Sequence, residues 1–135
     1  MNLVQSLGNL PTFAMYLGVA IFMLGVSVIA YDKFTPYPEF DLIRENNTAA
    51  AVSLSGAMVG FACPLVAVMV YANTVPVLVM WACVGIAAQY VVFFVVSFVF
   101  RDLKKLIVEN KIAPAIFLAA THVSTGILIA AAMAE

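Results

Sequence analysis

The chain has 135 residues, 65% of them hydrophobic and only 10% charged, with a formal net charge of -1. A soluble domain is usually roughly 25% charged, so this composition excludes an ordinary soluble globule and points to a membrane. The near-neutral balance leaves no bulk field to recruit nucleic acid.

Residues 1–11 are a short lead-in of mixed polarity. No Lys or Arg precedes Lys33, so the basic flank of a cleaved signal peptide is missing. Residues 12–31 are uncharged and suit a first span, since about 20 residues cross the hydrocarbon layer. Gly18 and Gly25 lie on one face of it, and small residues let neighbouring helices approach. The first polar loop, 32–48, carries Thr35-Pro36-Tyr37-Pro38. Each proline disfavours helix in the residue before it, and Pro38 suits the first position of a new helix. Phe40 and Ile43 are three apart, while Glu39, Asp41, Arg44 and Glu45 are charged. That pattern predicts a short amphipathic helix at the interface. Asn46, Asn47 and Thr48 are helix N-cap types.

Residues 46–100 contain no charge. As one helix they would run about 80 Å at 1.5 Å per residue, so the run folds back. Asn73-Thr74-Val75-Pro76 is the turn signal. It places span two at 49–71 and span three at 77–99. Span two holds Gly56-Ala57-Met58-Val59-Gly60, a GxxxG packing pattern, with Ser53 one turn earlier. Pro64 predicts a kink and a freed carbonyl near residue 60. Cys63 and Cys83 lie in uncharged runs without metal-type spacing and read as small apolar packing residues. The second polar loop, 100–112, is again amphipathic, with Leu103, Leu106 and Ile107 on one face and Lys104, Lys105 and Glu109 on another. Asn110 is placed to cap span four, 113–134, although Pro114 would start that helix a few residues later. Gly126, Ala130 and Ala134 form a small-residue stripe along the span.

Leu42-Ile43, Glu45-Asn46, Ala49, Ala51 and Leu54 recur sixty-four residues later as Leu106-Ile107, Glu109-Asn110, Ala113, Ala115 and Leu118. The echo predicts two tandem two-span repeats, about 12–71 and 77–134, forming one all-α, integral membrane four-helix bundle. Two spans per repeat give both copies the same orientation, as in parallel-repeat transporters. All six basic residues, Lys33, Arg44, Arg101, Lys104, Lys105 and Lys111, fall in the two polar loops. The positive-inside rule puts those loops in the cytoplasm and both termini in the periplasm.

The carboxylates Asp32, Glu39, Asp41, Glu45, Asp102, Glu109 and Glu135 all fall outside the spans. A mid-membrane acid is therefore absent unless Glu45 or Glu109 dips inward. Gln89 and His122 are the prominent intramembrane polar residues. His122 reads either as a proton relay, solute ligand or haem axial ligand, or as a plain interhelical hydrogen bond to Gln89, Thr121, Ser124 or Thr125. One histidine offers too few ligands for a metal site. The Glu45-Asn46 and Glu109-Asn110 pairs read either as a cation entrance at the cytoplasmic mouth or simply as helix caps. No G-x-x-x-x-G-K-[ST], G-x-S-x-G or H-E-x-x-H occurs, so no motif supports an enzyme.

Thr35-Pro36-Tyr37-Pro38-Glu39, then Leu42-Ile43-Arg44-Glu45-Asn46, Ala49-Ala50-Ala51, Gly56, Gly60 and Pro64-Leu65, together with the tail at 126–133, carry a resemblance. The chain resembles the YjfL-like family of small bacterial inner-membrane proteins, a domain-of-unknown-function family, from about residue 12 to the end. The resemblance implies four spans in two repeats and an inner-membrane address; it implies no substrate, no cofactor and no catalytic residue, and His122 is not part of the recognised pattern. The expectation is an oligomeric (dimer or higher) channel or transporter-like protein for an ion or small solute. The polar core would draw on Glu45, Asn46, Ser53, Gln89, Glu109, Asn110 and His122. The packing positions would be Gly18, Gly25, Gly56, Gly60, Pro64, Gly126 and Ala130. The alternative is a non-transporting scaffold or envelope-stress partner whose basic loops recruit lipid or a cytoplasmic protein. A redox or haem role ranks third.

Overall fold

A computed structural model describes residues 3–71 and 74–133. Asn73 of the expected turn, Ala134 of the small-residue stripe and Glu135 lie outside the described residues. The chain forms seven helices there: α1 Leu3–Gly8, α2 Leu10–Phe34, α3 Glu39–Arg44, α4 Thr48–Tyr71, α5 Val75–Val99, α6 Leu103–Val108 and α7 Ile112–Met133. Among the described residues, α2, α4, α5 and α7 are long and apolar enough to cross a membrane. The chain is thus an all-helical protein with four candidate spans.

Each boundary has a local cause. Helix α2 continues through Asp32 and Lys33 and stops at Phe34, because Thr35 precedes Pro36 and takes an extended backbone, φ -68° and ψ 146°. Helix α5 opens after an extended Thr74, with Pro76 in its first turn, where a missing N–H costs nothing. Pro114 sits likewise in the first turn of α7, so α7 begins at Ile112 rather than beyond the proline. Pro64 lies inside α4, and α4 remains one helix across it.

The two short helices end the same way. Asn46 and Asn110 have φ of 67° and 62°, the left-handed conformation that asparagine tolerates. Around each, the chain closes a Schellman pair. Asn47 N–H donates to Leu42 O at 2.9 Å and Asn46 N–H to Ile43 O at 2.9 Å; Lys111 N–H donates to Leu106 O at 2.9 Å and Asn110 N–H to Ile107 O at 3.0 Å. The Glu-Asn pairs are therefore stops for α3 and α6, and the start of α4 is capped by the next residue. Asn47 Oδ1 accepts from Ala50 N–H at 2.8 Å.

Helix α4 is the axis of the bundle: 56% of its apolar window is buried, against 17–33% for the other three. Its closest partner is α7. Gly56 rests on Ala119, and Gly60 on the backbone of His122 and on Gly126. Near the charged end, Asn110 Oδ1 accepts from Ala49 N–H. These contacts advance together along both helices, so α4 and α7 run parallel. Helix α5 runs the other way, placing Gly85 by Pro64 and Gln89 by Gly60. One apolar cluster, containing Tyr31, Tyr37, Leu54, Phe61, Phe93, Ile107 and Leu118, fills the end nearest α3 and α6. A second, built on Met23, Leu65, Val68, Leu78 and Ala82, fills the other.

Helix α6 matches its expected face: Leu103 and Ile107 are buried, and Lys104 and Lys105 exposed. Helix α3 does not. Its buried residues are Glu39 and Leu42, whereas Phe40 is exposed. The expected split of α3 between Phe40 and Ile43 on one side and its charged residues on the other fails at Phe40 and Glu39. Asp32, in the last turn of α2, accepts from Glu39 N–H at 2.9 Å and from Phe40 N–H at 3.4 Å. This tie fixes the rotation of α3 and turns Glu39 into the bundle.

Candidate functional site

Three long helices each send one polar side chain to a common point. Tyr31 comes from α2, Gln89 from α5 and His122 from α7, and all three are 0% exposed. His122 Nδ1 lies 2.6 Å from Gln89 Oε1, and Tyr31 Oη lies 3.0 Å from His122 Nε2. Gln89 Nε2 donates to the His122 backbone carbonyl at 3.2 Å. The amide orientation follows from that last bond, because a carbonyl only accepts. Oε1 must then accept from Nδ1–H, leaving Nε2 to accept from the tyrosine hydroxyl. The neutral imidazole satisfies both neighbours, and the chain of bonds has one direction: Tyr31 to His122 to Gln89.

The surroundings hold this chain in place. Tyr31 meets Phe61, Phe93 and His122 edge-on, with ring centroids 5.9, 6.0 and 5.3 Å away. Gly60 leaves room on the fourth side: a Cβ there would stand 2.5 Å from His122 O and 2.7 Å from Gln89 Nε2. His122 is the eleventh of the 22 residues of α7, whereas Tyr31 lies one turn from the charged end of α2. The polar chain thus begins near the α3/α6 end and reaches the middle of the bundle.

A second polar group lies at that end. Glu39 is 0% exposed and Tyr37 2%. Among the described residues, neither carboxyl oxygen of Glu39 nor Tyr37 Oη has a hydrogen-bond partner. Ser53, also fully buried, donates its hydroxyl to Ala50 O at 3.1 Å. Burial first, and the charge of Asp32 second, push the Glu39 carboxyl up to about 8, while the hydroxyls of Tyr37 and Ser53 pull the other way without closing a bond to it. Burial and the neighbouring Glu39 raise the Tyr37 phenol far above its ordinary range, so it stays protonated. Tyr31 and Tyr37 flank the same ring, Phe93, at 6.0 and 6.3 Å, and Tyr31 lies within electrostatic reach of Glu39. The two polar groups are neighbours.

The other expected site residues are placed differently. Glu45, Asn46 and Glu109 are exposed and do not converge with the buried groups. Asn110 reaches across to cap α4 rather than α7. Asn47 reaches the other way, donating to Ile107 O at 3.0 Å and Val108 O at 3.2 Å. Gly18 and Gly25 face open space in the single chain, while Gly56, Gly60 and Gly126 lie at the α4–α7 contact. Ala130 lines a shallow apolar groove with Val59, Ala62, Cys63, Val66 and Ile127. Among the described residues no cluster of three His, Cys, Asp or Glu could hold a metal ion. Sequence reasoning missed Tyr31, Tyr37 and Glu39.

The profile of the Domain of Unknown Function (DUF350) family matches residues 5–133. The chain belongs to the DUF350 family. It is 30% identical over 127 residues to the UPF0719 inner membrane protein YjfL of Escherichia coli (strain K12) and, equally, to that of Escherichia coli O157:H7, covering 94% of this chain and 96% of each relative. No solved structure matches the chain. Similarity to an inner membrane protein over nearly the whole chain, with four apolar helices, supports a multi-pass inner-membrane protein.

Proposed function

We propose that this DUF350 protein is a transporter-like membrane protein that moves an ion or small solute, and that its polar core is Tyr31–His122–Gln89. The observation that carries the proposal is that chain itself: three uncharged but hydrogen-bonding side chains, fully enclosed, inside apolar helices. Polar residues inside membrane bundles are costly and mark pathways and relays. The matching Schellman stops at Asn46 and Asn110 and the parallel α4–α7 pair support two tandem repeats of like orientation. The polar loops and short helices α3 and α6 then lie at the cytoplasmic interface, and both termini are periplasmic. The functional unit is a homodimer or larger, C2 being the commonest closed symmetry. Gly18 and Gly25, open in one copy, supply close-approach positions for a second.

Flux assays on purified protein in sealed liposomes test this. Uptake of protons, alkali cations or small solutes above that of empty liposomes is expected, falling to background in Tyr31→Phe, which keeps the ring and removes the hydroxyl. Liposomes that stay tight across a broad screen would reject transport. A second reading, a non-transporting scaffold, is favoured by Lys104 and Lys105 standing exposed on α6 above a buried Leu103–Ile107 face. Such a surface suits anionic lipid or an acidic cytoplasmic protein. Neutralising Lys104, Lys105 and Lys111 would then abolish recruitment; unchanged co-purification would exclude it.

A further inference from the structure

We propose that Glu39, enclosed with Tyr37 and Ser53 between α3 and α4, is a proton-binding site that loads the neighbouring Tyr31–His122–Gln89 core from the α3/α6 face. The inference deepens the transport reading and rests on it only for the proton's destination.

The geometry carries the assignment. Glu39 is wholly enclosed, and both of its carboxyl oxygens lack a partner among the described residues. A carboxylate in that position would be an isolated buried charge, which proteins avoid by neutralising the group. The titratable neighbours that act on it are acids: Asp32 from α2 and Tyr37 from the α2–α3 segment, with Tyr31 also within reach. Helix α4 contributes the Ser53 hydroxyl, and neither it nor the others offers a positive charge. A metal cation would want more oxygen donors than one carboxylate and two hydroxyls, since hard cations take about six or more. A proton needs one carboxylate oxygen.

The step balances simply. A proton leaves a water or hydronium at the surface and forms an O–H bond to one carboxylate oxygen, so the side chain goes from charged to neutral. Release breaks that O–H bond and restores the carboxylate. No electrons move. Asp32 sits at the mouth and holds the backbone N–H of Glu39 at 2.9 Å. Half-buried Asp32 thereby couples the last turn of α2, which follows Tyr31, to the acid.

Infrared difference spectroscopy of the full protein in lipid, titrated with pH, tests the site without any transport assay. The expected result is a protonated-carboxyl C=O band at neutral pH, lost with a midpoint near 8, absent in Glu39→Gln and retained, shifted in frequency, in Glu39→Asp. A Glu39-dependent band that titrates in the ordinary carboxylate range, or no such band, overturns the proposal. A midpoint that moves down when sodium replaces choline also overturns it, in favour of an alkali-cation site. A titrating Glu39 in liposomes that pass no ion or solute leaves the proton site standing and removes the transport reading. Flux that depends on Tyr31 but not on Glu39, with no titrating band, does the reverse.

Discussion

At the scale of single residues, the molecule depends on how few polar atoms it buries and how each is satisfied. Glu39 and Tyr37 are the exceptions, and the behaviour of Glu39 has a definite sign. Its folded carboxyl sits at about 8 and its ordinary value is 4.5, so the folded state holds the proton more tightly than the unfolded chain. The stability this provides is complete below about 4.5, declines as pH rises through the window, and is gone above about 8. Thermal unfolding in detergent should show a midpoint that falls across that window in the wild type and is flatter in Glu39→Gln; equal slopes would count against burial of the charge. In the polar core, Tyr31→Phe removes one bond and should cost about 0.5–1.5 kcal/mol. Gln89→Leu strands the Nδ1–H of His122 and also removes the second bond to its helical carbonyl, and should cost more, about 1–3 kcal/mol. Unfolding titrations of the two variants decide the order. Gln89 and His122 are legible in the sequence because they interrupt apolar runs. Glu39 is hidden because an acid after a Pro-rich turn resembles a solvated helix face, and only the bond from Asp32 turns it inward. One signal was available: the residue sixty-four positions on is Leu103, which is itself buried.

At the scale of elements, close approach of α4 and α7 sets the architecture. A Cβ on Gly60 would collide with backbone, His122 O at 2.5 Å, which cannot move as a side-chain tip would. Gly60→Ala and Gly126→Ala should therefore each destabilise by about 1–3 kcal/mol, and Gly60→Ala should also disturb the His122–Gln89 bond. Gly18→Ala and Gly25→Ala meet nothing within 4 Å and should leave protomer stability unchanged. A loss of oligomer on native gels in these two variants alone would assign them to an interface between copies. The GxxxG pattern thus pointed to a close contact, but period alone could not separate glycines facing a neighbour from glycines facing outward. The caps show the same limit. Asparagine next to a helix start reads as an N-cap, yet Asn46 and Asn110 close the preceding helices with positive φ. Asn110→Ala removes the cap on Ala49 N–H and forces alanine into the left-handed region, and should cost about 1–2 kcal/mol. Asn46→Ala lacks the first loss and should cost less; denaturation of the pair measures the difference.

At the scale of the whole molecule, four helices with apolar outer faces and one polar seam amount to a one-sided device. The buried acid, the tyrosine–histidine–glutamine chain and all six basic residues lie from the middle of the bundle toward the α3/α6 end. The far end is closed by an apolar plug of Met23, Leu65, Val68, Leu78 and Ala82. A proton released from Glu39 has a gap to cross before Tyr31, where the hydrogen-bonded chain begins, and a dry barrier beyond that chain, so passage through requires either a second copy or a rearrangement that opens the plug. Which compartment feeds Glu39 depends on orientation alone. By the positive-inside rule we propose that this end faces the cytoplasm, and Lys104→Cys in a protein lacking Cys63 and Cys83 tests it. An impermeant thiol reagent should label it in inverted vesicles and not in intact spheroplasts. Labelling from the outer side would invert the device. Glu39 would then draw its proton from the periplasm, and the apolar plug would guard the cytoplasm.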